Sequence, residues 1–187
     1  MKKFKFIVIL FFSSIFLSSC LARVTPDDKK FLNEVLSKQF NIEELIKDDK
    51  TNNMDKSLYY LEDDENSTKS FVAIKYKDDN VLNIKQIHQI EVIKDNMSDI
   101  QKATLLKNTK QLGEDGVNQI SDLPGTSFNY ELAGNDFIVI LEIDKEKILK
   151  ADIKKLIQDG LFTEDFLEEN YTDLTKKLEE NGFKLIH

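Results

Sequence analysis

The chain has one cysteine, Cys20, and it stands directly after an apolar leader. Met1-Lys2-Lys3-Phe4-Lys5 is basic, and Phe6 to Leu17 is apolar apart from Ser13 and Ser14. An apolar helix needs roughly 20 residues to span a bilayer, and a run of twelve has the length of a signal h-region. The leader is therefore set aside before folding is considered. Residues 1–19 read as a cleaved signal peptide, which leaves 168 residues. With a single cysteine no disulfide forms within the chain, so the fold must stand on its core alone. A chain of this length suffices for one domain that buries a sizeable core without metals or disulfides.

Leu17-Ser18-Ser19-Cys20 places small residues before the cut and a leucine three positions ahead of the cysteine. This resembles the lipobox of bacterial lipoproteins. The resemblance implies a diacylglyceryl thioether on Cys20, cleavage before it, and frequent acylation (commonly palmitate) of the new amine. Two acyl chains give stable attachment where one is marginal. Residues 20–25 then form a lipidated tether, and the expected location is the cell envelope. The protein would sit on the outside of the cytoplasmic membrane or, in a two-membrane bacterium, on the outer membrane. Leu21, rather than an aspartate, after the cysteine resembles lipoproteins sent on to the outer membrane.

Charge narrows the partners. The chain carries 26 basic and 34 acidic residues, a net of −8. Losing Lys2, Lys3 and Lys5 with the leader takes the remainder to −11. A basic nucleic-acid interface is excluded on that balance, so no nucleic-acid partner is expected. Adsorption of the body as a whole to anionic lipid is disfavoured for the same reason. The expected partners are the bilayer, through Cys20, and an envelope protein or small ligand.

Hydrophobic period divides the rest. Thr25-Pro26-Asp27-Asp28 reads as a capped helix start, followed by Phe31, Leu32, Val35, Leu36 and Phe40 at helical spacing. Asn41-Ile42-Glu43-Glu44 suggests a second cap, giving a helical segment over 26–47 with a wide apolar stripe. Burial of that stripe on the main domain is favoured over a groove for a partner. Asp48 to Lys56 reads as loop, Leu58 to Leu61 as a short strand, and Glu62-Asp63-Asp64-Glu65-Asn66 as an acidic loop. Phe71 to Lys77 and Val81 to Ile93 form a hairpin about Asp78-Asp79-Asn80; mixed parity in the second strand asks for a bulge near Lys85 to Gln89. Ser98-Asp99-Ile100-Gln101 is a capping box opening a helix through Leu112, stopped by Gly113, with Glu114 to Gly125 as loop. Thr126 to Leu132 and Phe137 to Ile143 make a second hairpin around Gly134-Asn135-Asp136. Its second strand is apolar on both parities and therefore central in its sheet. Asp144 is expected to cap a helix over Ile148 to Ile157, ending at Gly160. A last helix spans about Tyr171 to Asn181. Hairpin, helix, hairpin, helix, helix is the pattern of an α+β fold: an antiparallel sheet of hairpins with helices on one face, two layers, plus an N-terminal helix.

Three stretches carry a family resemblance. Ile74-Lys75-Tyr76-Lys77-Asp78-Asp79-Asn80-Val81, then Glu142-Ile143-Asp144 with Lys150-Ala151-Asp152-Ile153-Lys154-Lys155-Leu156, and finally Thr172 to Phe183 are similar to the YehR-like lipoprotein family. The likeness runs over about residues 68–186. It implies an α+β fold and a lipid anchor, and it hands over no catalytic residue. The domain plan is thus signal 1–19, tether 20–25, helical segment and loop 26–66, and a YehR-like domain 67–187.

No site chemistry stands out. His88 lies mid-strand between Ile87 and Ile90, His187 ends the chain, and no further histidine or free cysteine is present to complete a triad or a zinc site. Phosphate-binding glycine loops are absent. Glu62 to Asn66 is dense in oxygen but has adjacent acids and no glycine, unlike a calcium loop, so solvated loop is the favoured reading. No catalytic residue, metal or cofactor is expected beyond the lipid on Cys20. The expected protein is a non-enzymatic binding or interaction module. The alternative is a hydrolytic or carbohydrate-active lipoprotein using dispersed carboxylates. A carrier for a small ligand is a third reading, against which 168 residues without a second lobe argue. Cys20→Ser is expected to abolish palmitate incorporation in labelled cells; retained label places the lipid elsewhere.

Overall fold

The computed structural model describes residues 24–42, 54–158 and 170–186. The signal peptide, Cys20, the segment 43–47, Gly160 and His187 lie outside them. Helix α1 spans Pro26–Ser37, strands β1 to β3 span Asp55–Asp63, Thr68–Lys77 and Asn80–Glu91, and helix α2 spans Asp99–Ile120. Strands β4 (Thr126–Ala133) and β5 (Asp136–Asp144) follow, then α3 (Lys150–Gln158), α4 (Tyr171–Glu180) and the two-residue β6 (Lys184–Leu185). The sheet runs β4-β5-β3-β2-β1-β6, with every pairing antiparallel. This is the expected α+β architecture, and β5 is an interior strand.

Tight turns set the hairpins. Asp78 and Asp79 both take positive φ, 49° and 68°, as a two-residue turn between paired strands requires. Opposite them the register slips between Lys75 and Tyr76, which leaves Leu82 as the extra residue. The expected bulge therefore exists but lies at Leu82, outside Lys85 to Gln89. Its carbonyl accepts from the Lys145 amide at 2.8 Å and so ties down the exit of β5. Beyond the bulge the mixed parity has another cause: β3 buries both faces. Ile84 and Ile90 face the helices, while Ile87 belongs to the opposite side.

Helices α2, α3 and α4 cover one face. Ile153, Leu156, Leu174 and Leu178 pack on Tyr59, Val72, Ile74, Ile84, Leu141 and Ile143. Leu105 and Leu106 of α2, with Leu32 and Val35 of α1, close over Ile90, Leu132 and Phe137. Helix α1 starts as expected: Thr25 and Asp28 form a reciprocal capping box with Pro26 in the first turn. It stops at Ser37, where Lys38 is extended; Ile42, after the expected second cap Asn41, is helical again, and 43–47 lie outside the described residues. The Val35 carbonyl accepts from Gly134 in the β4–β5 turn at 2.9 Å, which anchors the helix end on the sheet. Phe40 and Ile42 then pack on the second face, against Leu58, Phe71, Ile87 and Ile138.

Three further expectations are corrected. Residues 55–63 form a nine-residue strand paired along its length with β2. The boundary at 66/67 therefore falls inside a hairpin, and β1 belongs to the sheet domain. Helix α2 also runs through Gly113 to Ile120, where a stop and a loop were expected. Its glycines serve close approach. A Cβ on Gly113 would lie 2.3 Å from Tyr130 Cγ, and one on Gly116 would lie 2.6 Å from Phe128 Cζ. The aromatic rings of β4 press on the helix backbone there. The expected helix after Asp144 is likewise split. Ile148 and Lys147 donate to the Asp144 carbonyl in a turn, and α3 begins at Lys150.

Gly113→Ala separates the two roles of glycine. Helix propensity alone would stabilise the variant by up to about 1 kcal/mol. Displacing the base of the Tyr130 ring is expected to outweigh that gain, since overpacking costs about 1–3 kcal/mol. Urea denaturation should find Gly113→Ala less stable than the parent. A more stable variant would remove the ring contact as the reason for glycine.

Candidate functional site

Alternation along the strands places Ser70, Gln86 and His88 on the helix-covered face. Ser70 pairs directly across from His88, and Val72 from Gln86. The Ser70 hydroxyl lies 2.9 Å from His88 Nδ1, and His88 Nε2 lies 3.4 Å from Gln86 Oε1. A hydroxyl donating to Nδ1 puts the ring proton on Nε2, where the amide oxygen accepts it. Burial depresses the His88 pKa to about 4, so the ring is neutral near pH 7. Both nitrogens are thus taken by neutral partners, and the ring meets no carboxylate. Ser70 is 5% exposed, so its oxygen has no path to a substrate. The trio is a Ser-His contact without the access or the orienting acid that nucleophilic chemistry needs. Among the described residues, Gln86 Nε2 and the buried Ser57 hydroxyl have no hydrogen-bond partner. Each such group costs about 1–3 kcal/mol, so this polar stripe weakens the core that holds it.

A second polar locus lies at the end of the sheet that holds the β1–β2 and β4–β5 turns. Glu62, Asp63 and Asp64 line an open cleft there, together with Lys69, Gln89, Glu91 and Asp136. Glu62 and Asp63 belong to β1, so the expected acidic loop is a shorter turn. Local bonds already engage its members. Asn66 donates to Asp63 through its backbone (3.3 Å) and side chain (2.7 Å). Lys69 sits 3.6 Å from Glu62, Lys94 binds Glu91 and Ser67, and Gln89 donates to Asp136 at 2.6 Å. Among the described residues no group of three or more histidine, cysteine or acidic side chains is placed to hold a metal ion.

Asp79, read from the sequence as turn material only, has a second role. Its Oδ1 accepts from the Thr172 amide at 2.9 Å and the Thr172 hydroxyl at 2.8 Å, and its carbonyl accepts from Tyr171 at 2.7 Å. With Asn170 as N-cap, the hairpin tip thus holds the start of α4. Tyr171 stacks on Tyr76 with ring centres 3.7 Å apart. These contacts join elements some 90 residues apart in sequence, and no local pattern announces them.

No family model matches the chain, and no curated protein matches it. Two solved structures share its fold. An NMR structure of a protein from Streptococcus pneumoniae TIGR4 is 15% identical, covers 75% of this chain and 89% of its own length, and aligns with a TM-score of 0.56. The NMR structure of the E. coli YehR protein is 16% identical, covers 71% of this chain and 91% of its own length, and aligns with a TM-score of 0.51. At these identities the likeness establishes a YehR-like fold and carries no site.

Histidine titration gives the region a readout. The unfolded chain binds a proton at His88 near pH 6.5, the folded one only near pH 4. Stability therefore falls as pH drops through that window, by about 3 kcal/mol from this group, and levels off below it. His88→Leu should remove that component. The difference between parent and variant stabilities from pH 7 to pH 4 isolates it from the carboxylates. A constant difference would mean that His88 is charged in the fold or exposed to water.

Proposed function

We propose that this protein is a lipid-anchored, non-enzymatic lipoprotein of the bacterial envelope, of the YehR-like type, whose α+β body is a binding or interaction module. The carrying observation is Leu17-Ser18-Ser19-Cys20 after a basic and apolar leader, five residues before the N-cap Thr25 of a docked helix. The residues that resemble the YehR-like family fall on the β2–β3 hairpin, the β5 exit with α3, and α4. The YehR-like fold supports the same reading. A non-catalytic role is supported by the burial of the Ser70 hydroxyl that meets His88 and by the local engagement of the cleft carboxylates. Among the described residues no helix is long and apolar enough to cross a membrane.

Function is tested by incubating the soluble chain from Leu21 onward with envelope extract and following every component by mass spectrometry. The proposal expects a protein or small molecule retained stoichiometrically and recovered unchanged. New products formed at a rate that depends on a cleft residue such as Asp136 would establish the hydrolytic alternative.

A further inference from the structure

Helix α1 begins as part of the folded body. The capping box fixes Thr25, Asp28 binds Lys107 of α2, and Leu32 and Val35 are buried against the sheet domain. Lys107, followed by Thr25, holds the Asp28 carboxyl down to about 2, so this contact stays ionic. The free tether is therefore short. Six Cα steps from Cys20 to Pro26 reach roughly 22 Å at most. A body of this length has a radius of gyration near 15 Å, which for a compact sphere means about 40 Å across. The start of α1 cannot lie on the side away from the lipid, so the surface around it is turned towards the bilayer.

That surface has a distinct chemistry. Asp28, Leu32 and Val35 mark the buried stripe of α1. Successive 100° steps place Lys30, Asn33 and Ser37 opposite that stripe, with Lys29 and Leu36 together on one flank. Asp27 and Glu34 fall on the other flank, beside Phe31, whose ring lies 6.0 Å from the Lys110 ammonium of α2. Lys29, Lys30 and Asn33 are exposed, and Leu36 is 37% exposed. One side of α1 thus presents two lysines and a leucine, with the exposed Glu34 and Asp27 bordering it next to Lys30, in a chain whose net charge after the leader is −11.

We propose that this side of α1, comprising Lys29, Lys30, Asn33 and Leu36, is a membrane-contact surface that rests on anionic phospholipid headgroups and sets the orientation of the body. The inference rests on the lipid-anchor reading of Cys20. Each lysine near an anionic leaflet strengthens the contact roughly fivefold. Two of them bias a body that the tether already holds at the surface, although the whole chain is repelled from it.

The protein contains no tryptophan, so a single introduced indole is a clean reporter. Asn33→Trp places it on the proposed surface, and Lys77→Trp places it at the exposed end of β2 by the opposite turn. The full lipidated chain is reconstituted into vesicles of phosphatidylglycerol and brominated phosphatidylcholine. Emission of Asn33→Trp should be quenched severalfold more than that of Lys77→Trp. Lys29→Glu with Lys30→Glu, or high salt, should reduce that difference. Equal quenching at both positions, or none at position 33, overturns the proposal while vesicle sedimentation still reports the anchor. If Cys20→Ser sediments as well as the parent, the anchor reading fails instead, and the orientation falls with it.

Discussion

The pairing of β3 with β5 holds this molecule together. It aligns Asn83 with Asp144 through to Glu91 with Asp136, and so joins two hairpin units separated by a 22-residue helix. Polar groups at its margins fix the register. Asn83 donates to Glu142 at 3.0 Å, Lys85 lies 3.5 Å from the same carboxylate, and Gln89 donates to Asp136. A slip of one residue would exchange the two faces. A slip of β5 would carry Leu141 and Ile143 out of the helix-covered core and expel Ile138 from the other cluster. Helices α1, α3 and α4 span 12, 9 and 10 residues, too short to be stable alone, and depend on docking to this sheet.

Both faces of this central pair are buried, which explains where polarity appears. The helix-covered face takes the larger clusters, and within it Ser70, Gln86 and His88 are linked to one another. The second face receives Phe40 and Ile42 from the chain that follows α1. Helix α1 is thus pinned at Asp28 to α2 and at Val35 to Gly134, while its continuation crosses to the far side of the sheet. Under the proposed anchoring, a lipid on Cys20 would act on the whole body through that pinned segment.

Much of the fold was legible in local pattern. Thr25-Pro26 and Ser98 with Gln101 signal helix starts by side chains that satisfy nearby amides, and Asp78-Asp79 signals a turn. What failed depended on tertiary contact. Gly113 reads as a stop because a glycine after an apolar stripe usually ends a helix; only the Tyr130 ring, contributed by β4, explains a glycine inside one. Leu82 could not be identified as the bulge without knowing that its carbonyl meets Lys145. The full length of β1 was hidden because Asp55, Lys56, Glu62 and Asp63 are charged, and an exposed strand end looks like loop. Of the polar site, His88 was legible as a packed strand histidine, whereas Ser70 became its partner only through strand register.

The two hairpin units form one cooperative body closed by β3 and β5. Native-state amide hydrogen exchange tests this most directly. Amides in the β3–β5 ladder should be the slowest in the chain, exchanging with a single free energy equal to that of global unfolding. Amides in β1–β2 and β4 should open at or below that value. If the β3–β5 ladder exchanges first, leaving β1–β2 and β4–β5 separately protected with different energies, the two units fold independently and the central claim is wrong.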